Sequence, residues 1–122
     1  MRVLIVEDDA LIAMHLAMVV AEFGHDVCAT AATAAEAIAL AALHNPDVVL
    51  MDIRLAQGSS GIDAAREIHA QHGLRCIFLS GNLDTATRSL LEPYEPIGFV
   101  GKPVLPVVLQ RALKKAEGLT DL

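Results

Sequence analysis

Five short strand-like segments alternate with five helix-length segments along this chain, and this alternation limits its fold more than any other feature. The strand-like segments are residues 3–6, 26–29, 48–51, 76–79 and 97–100. The helix-like segments are residues 11–23, 34–43, 62–71, 85–91 and 105–116, where apolar residues recur every three or four positions. Alternating strands and helices build a parallel sheet with helices on both faces. We therefore predict one domain over residues 1–122 with an α/β fold, a doubly wound five-stranded parallel sheet with five helices.

Charge and hydropathy exclude several classes of protein. The net charge of -6 at pH 7 disfavours direct binding to nucleic acid or to an anionic membrane surface. No apolar run is long enough to cross a bilayer, and the N-terminus lacks the order of a signal peptide. The two cysteines, Cys28 and Cys76, show no metal-binding or redox spacing. We expect a cytoplasmic protein with free thiols.

Polar side chains follow four of the predicted strands, at the point where each strand ends. Residues 7–9 (Glu-Asp-Asp) follow the first strand, Asp52 the third, Ser80 the fourth and Lys102 the fifth. In open parallel sheets these strand ends meet at one edge, where ligands bind. Carboxylates suit Mg²⁺, and a carboxylate can also act as a nucleophile that forms an aspartyl phosphate. The pattern predicts a Mg²⁺-assisted phosphoryl-transfer site in which Asp52 is the acceptor.

The same motifs, taken in order, resemble the receiver domain of two-component response regulators. They are the acids at 7–9, "VLMDIRL" around Asp52, "FLSG" around Ser80 and "FVGKPV" around Lys102. The resemblance covers essentially the whole chain. It implies a stand-alone receiver in which Asp52 takes a phosphoryl group from a histidine kinase or a histidine phosphotransfer protein and then controls an unknown downstream protein.

The resemblance also implies a role for each site residue. Mg²⁺ would be held by Asp8, Asp9, Asp52 and the backbone carbonyl of Arg54. Ser80 and Lys102 would contact the phosphate, and the peptide bond before Pro103 would be cis. On phosphorylation Ser80 would move toward the phosphate and Phe99 would turn inward, which changes the surface of the fourth helix, fifth strand and fifth helix. The loop "DIRLAQGSSG" is expected to be one residue longer than is usual in the family.

The first helical segment has a second apolar stripe besides the one that should face the core. Leu11, Met14 and Met18 form it at three- and four-residue spacing. Exposed methionine-rich patches suit the docking of partner helices. We therefore predict that these residues bind the phosphoryl donor, although a stripe packed inside the protein would explain the pattern nearly as well.

Several other interpretations remain open. Asp9 alone is equally well explained as a helix-capping residue, and only the presence of Asp52 and Lys102 favours the metal site. The chain could also be a pseudo-receiver that binds partners without phosphorylation, or the receiver part of a hybrid histidine kinase. A phosphohydrolase is disfavoured because Ile53 and Arg54 follow Asp52 in place of a second acid. We expect a switch that catalyses only its own phosphorylation and dephosphorylation, not an enzyme.

Overall fold

The computed structural model describes residues 1–55 and 59–120 and confirms the predicted α/β architecture. Its strands are β1 (Arg2–Val6), β2 (Asp26–Ala31), β3 (Val48–Asp52), β4 (Cys76–Ser80) and β5 (Gly98–Gly101). Its helices are α1 (Ala10–Glu22), α2 (Ala34–His44), α3 (Gly61–His72), α4 (Thr85–Leu91) and α5 (Pro106–Thr120), and a 3-10 turn at Glu92–Tyr94 follows α4. All neighbouring strands pair in parallel, in the order β2-β1-β3-β4-β5. The part of the "DIRLAQGSSG" loop at residues 56–58 lies outside the described residues.

The observed elements differ from the predicted ones mainly at their ends. Strand β2 extends to Ala31 because it pairs with β1 as far as Val6. Helix α5 continues to Thr120, past the predicted end at residue 116. The fourth helix has the predicted bounds, and the 3-10 turn that follows it contains Pro93, which cannot supply the backbone N–H that a continuing helix needs.

The sheet is buried on both faces, as a doubly wound fold requires. Side chains along a strand alternate between faces, so Val3 and Ile5 belong to one core cluster, whereas Leu4 and Val6 belong to the other. Helices α1 and α5 cover the first face through Leu16, Val19, Val20, Leu109, Leu113 and Ala116. Helices α2, α3 and α4 cover the second through Ala37, Ala41, Ala64, Ala65, Ile68 and Leu91.

Every residue of the central strand β3 is buried, and this strand ends at Asp52. The fold therefore holds Asp52 at the carboxyl edge of the sheet between β1 and β4. Among the described residues, no helix is both long enough and apolar enough to span a bilayer.

Candidate functional site

A cleft of about 660 Å³ lies at the carboxyl edge of the sheet, where the ends of β1, β3, β4 and β5 converge. Its lining includes Glu7, Asp8, Asp9, Asp52, Arg54, Ser80, Asn82, Thr87 and Lys102. The polar residues that sequence analysis selected at separate strand ends therefore do line one site.

Asp52 is buried at the floor of this cleft, with only 4% of its surface exposed. Its Oδ1 accepts a hydrogen bond from the backbone N–H of Arg54 at 3.2 Å. Its Oδ2 accepts one from the ammonium of Lys102 at 2.7 Å. The carboxylate is thus held from two sides, and the ammonium supplies the charged partner that a buried acid requires.

Lys102 makes a second short ion pair in the cleft, with Glu7. Its Nζ lies 2.7 Å from Oε2 of Glu7, whose side chain is 1% exposed. The other oxygen of Glu7 accepts a hydrogen bond from the backbone N–H of Asp9 at 3.2 Å. One cation therefore bridges two buried carboxylates that come from β1 and β3. The peptide bond between Lys102 and Pro103 is cis, as predicted.

Burial and charge shift the protonation equilibria of this cluster in identifiable directions. Burial raises the pKa of Glu7 from 4.5 to about 6, against the lowering effect of the hydrogen bond from Lys102. Burial tends to lower the pKa of Lys102, but its hydrogen bonds to Asp52 and Glu7 outweigh this and leave that pKa raised. The lysine therefore stays charged at neutral pH, whereas Glu7 takes up a proton just below it.

The carboxylates fit a divalent cation, although not in the predicted set. Oxygens of Glu7, Asp8 and Asp52 lie within 4.8 Å of one another, and oxygen ligands from a few carboxylates are what Mg²⁺ prefers. Asp8 is exposed and faces the open cleft, which leaves room for waters and phosphate oxygens in the coordination shell.

Asp9 caps the first helix, which is the alternative that the sequence left open, and it lies outside the group of three acids that could hold a metal. It is the N-cap of α1, and its Oδ1 accepts hydrogen bonds from the backbone N–H groups of Leu11 at 2.9 Å and Ile12 at 3.2 Å. The acid that joins Asp8 and Asp52 is Glu7, which the sequence prediction left out of the ligand set. The N-cap is the residue just before the first helical one, so the start of α1 at Ala10, one residue before the predicted start at residue 11, assigns capping to Asp9.

Backbone contacts fix the end of β3 against its neighbours. Ile53 N–H donates to the carbonyl of Leu79 at 3.1 Å, and Gly61 N–H donates to the carbonyl of Ile53 at 2.8 Å. Gly61 starts α3 so close to β3 that a Cβ atom there would lie 2.0 Å from the carbonyl oxygen of Asp52. Only glycine fits this position without displacing the strand end that carries Asp52.

Of the two predicted switch residues, Ser80 lines the cleft, whereas Phe99 lies on β5, three residues before Lys102. The Ser80 hydroxyl donates to the backbone carbonyl of Asn82 at 3.1 Å and accepts from the Asn82 N–H at 3.0 Å. These bonds close a local turn, so the hydroxyl has to leave them in order to contact a phosphate on Asp52. The backbone N–H of Lys102 donates to the carbonyl of Ser80 at 2.9 Å and links the two phosphate-contacting candidates. Phe99 is half-buried on β5.

The second apolar stripe of α1 is at the surface and not in the core. Leu11, Met14 and Met18 are 77%, 60% and 58% exposed. The packed alternative is therefore wrong for all three residues. The stripe starts within one helical turn of the acidic cleft, because Leu11 lies two residues after Asp9, which lines the cleft.

Fold and site together define a response regulator receiver domain. The sequence model of that family matches residues 3–114, and the chain belongs to the family. It is 38% identical over 105 residues to the transcriptional regulatory protein PdtaR of Mycobacterium tuberculosis, a match that covers 86% of this chain and 49% of PdtaR. It is 34% identical over 116 residues to the phyllosphere-induced regulator PhyR of Methylorubrum extorquens, with 94% and 43% covered. The chain thus spans about half the length of these relatives.

Solved structures agree with this assignment. The solution structure of the receiver domain of PhyR from Erythrobacter litoralis is 39% identical with a TM-score of 0.81, and the match covers 94% of this chain and 88% of that one. The crystal structure of PhyR from Brucella abortus is 36% identical with a TM-score of 0.84, covering 98% of this chain and 49% of that one. The fold described above is therefore that of a receiver domain.

Proposed function

We propose that this chain is the phospho-acceptor receiver of a two-component or phosphorelay system and that Asp52 accepts the phosphoryl group. The observation that supports this most is the double contact of Lys102, whose ammonium lies 2.7 Å from both Asp52 and Glu7. A fixed cation beside a buried carboxylate is the arrangement needed where phosphoryl charge will develop.

The reaction needs little from the protein beyond positioning. An oxygen of Asp52 forms a bond to phosphorus while the P–N bond of a phosphohistidine donor breaks. The departing imidazole keeps that electron pair and takes a proton from solvent. Lys102 stays beside the new phosphoryl oxygens. The Ser80 hydroxyl gives up its hydrogen bonds with Asn82 and donates a hydrogen bond to one of these oxygens.

Mg²⁺ belongs to this proposal as the cofactor. Glu7, Asp8 and Asp52 would hold it together with the backbone carbonyl of Arg54, which also lines the cleft. When bound, the ion supplies further neutralisation of the phosphoryl oxygens. The chain's own contribution is to keep three carboxylates and one ammonium preassembled at the end of the sheet.

The phosphoryl donor in this proposal is a histidine kinase or a histidine phosphotransfer protein. The exposed stripe of Leu11, Met14 and Met18 would dock a helix of that donor beside the cleft. Such an apolar contact can position a phosphohistidine over Asp52 without a deep binding pocket.

Output would pass through the surface of α4, β5 and α5 to a downstream protein in the cytoplasm, without direct contact to nucleic acid or membrane. The structure of PhyR from Bartonella quintana, which is 32% identical to this chain, is described as that of an anti-anti-sigma factor, and this supports output by protein binding. We propose that the chain catalyses only its own phosphorylation and dephosphorylation and turns over no external substrate.

The experiment is intact-mass spectrometry of the protein after incubation with Mg²⁺ and acetyl phosphate. We expect one labile phosphate on wild type and none on Asp52→Asn. Asp63→Asn, which changes an exposed acid of α3, is the matched control and should be phosphorylated like wild type. Absence of an adduct while Mg²⁺ is shown to bind would favour the pseudo-receiver instead. An adduct that forms on wild type and is missing from Asp52→Asn would support the receiver function.

A further inference from the structure

Two aromatic rings and one arginine, carried by β4, β5 and α4, form a stack. Phe78 on β4 is fully buried, and Phe99 is its register partner on β5. Their ring centroids are 5.8 Å apart with an interplanar angle of 25°. The guanidinium carbon of Arg88, on α4, lies over the Phe99 ring at 4.8 Å from its centroid. This distance is within the range of a cation–π interaction.

Helix α4 has few other ties to the rest of the protein. Leu91 is its only buried residue. Within the part of the chain that the structure describes, no carboxylate is within salt-bridge distance of the Arg88 guanidinium, including Glu92 one turn further on. The guanidinium of Arg88 therefore interacts with the Phe99 ring in place of a carboxylate, and this contact connects α4 directly to β5.

The stack is also connected to the phosphoryl site through the two strands that carry it. Phe78 lies two residues before Ser80, and Phe99 lies three residues before Lys102. The strand ends are joined by the hydrogen bond from the Lys102 N–H to the Ser80 carbonyl. A change at the cleft that moves Ser80 or Lys102 thus acts on the strands that hold both rings.

We propose that Arg88 is a positioning residue that holds Phe99 in its resting orientation, so that Phe99 turns inward only when α4 releases it. This inference rests on the proposed function and adds to it how the switch is restrained. A turn of Phe99 away from the orientation seen here takes the ring out from beneath the guanidinium unless α4 moves with it. The aromatic switch and the displacement of α4 become one coupled event.

The expected effect follows from the strength of an exposed cation–π contact. Such contacts contribute roughly a two- to five-fold factor to an equilibrium. Removing the cation should shift the Phe99 equilibrium toward the inward orientation by that factor. In this proposal the inward orientation is the one that accepts phosphate, so phosphorylation by acetyl phosphate should accelerate by a similar factor.

The test is fluorine NMR of protein labelled with 4-fluorophenylalanine, together with phosphorylation rates from intact mass. The chain has 3 phenylalanines, so three signals are expected, and a Phe99→Leu variant assigns the one that matters. Arg88→Met keeps the length of the side chain and removes its charge, and Arg88→Lys restores a cation. Arg111→Met changes an exposed arginine of α5 and is the matched control.

We expect Arg88→Met to shift or broaden the Phe99 signal of the resting protein and to accelerate phosphorylation by about two- to five-fold. Arg88→Lys should recover part of both effects, and Arg111→Met should change neither. An unchanged Phe99 signal, or an unchanged or slower phosphorylation rate in Arg88→Met, overturns the inference about Arg88 alone. Absence of phosphorylation in wild type overturns the proposed function, and the coupled switch with it.

Discussion

The contact between Gly61 and the end of β3 allows a quantitative prediction for Gly61→Ala. The added Cβ would meet three backbone atoms, of which the Asp52 carbonyl oxygen is nearest at 2.0 Å. Backbone atoms cannot rotate away, so this distance has to open to about 3 Å by a relative shift of α3 and β3 of roughly 1 Å. The shift falls on Asp52, the proposed phosphoryl acceptor.

Two measurable losses follow from this shift. Overpacking of a rigid site costs about 1–3 kcal/mol, which for a domain of this size lowers Tm by roughly 4–12 °C. A misplacement of about 1 Å at a reacting group can cost on the order of 100-fold in rate. We expect Gly61→Ala to show both the lower Tm and much slower phosphorylation by acetyl phosphate.

The assay is thermal unfolding combined with intact-mass kinetics, and the chain offers a matched control. Gly118 is exposed in α5, and a Cβ there would meet nothing within 4 Å. Gly118→Ala should leave phosphorylation unchanged and keep or raise Tm, since alanine favours a helix by up to about 1 kcal/mol over glycine. A Gly61→Ala protein with wild-type Tm and wild-type phosphorylation rate would refute the reasoning.

Three further predictions concern the metal site and the donor surface. Glu7→Gln should weaken Mg²⁺ binding by at least about tenfold, because it removes a proposed ligand. Asp9→Ala should keep its Mg²⁺ affinity and lose about 0.5–2 kcal/mol of stability, because it removes the helix cap. Calorimetric titration with Mg²⁺ and thermal melts separate the two effects, and the reverse pattern would make Asp9 the ligand. Because the pKa of Glu7 is raised from 4.5 to about 6, its proton is bound more tightly in the folded than in the unfolded state, so the metal-free protein should gain stability as the pH falls from about 6 to 4.5. Mg²⁺ has to displace that proton, so its affinity should fall over the same interval in wild type and stay flatter in Glu7→Gln. Met14→Glu should slow phosphoryl transfer from a phosphohistidine donor while acetyl phosphate still reacts at the wild-type rate; equal slowing with both donors would contradict a docking role.

The sequence by itself determined the fold and the general location of the site. Strand and helix periodicities are local properties of the chain, and their alternation leaves few topologies other than a doubly wound parallel sheet. The carboxyl ends of parallel strands meet at one edge, so Asp52, Ser80 and Lys102 could be placed together before any contact was known. The acceptor role of Asp52 is predicted from the same order of motifs.

Only the tertiary structure decided which neighbouring acid does which task. Glu7, Asp8 and Asp9 are chemically alike and adjacent in sequence, and their roles depend on where β1 ends and α1 begins. The start of α1 at Ala10 makes Asp9 the helix cap. The position of Lys102 just after β5 brings its ammonium to Glu7, which becomes the buried acid paired with that lysine. The tight fit of Gly61 and the stacking of Arg88 on Phe99 likewise depend on how elements distant in sequence pack together, because no local pattern encodes the distance between two helices or strands.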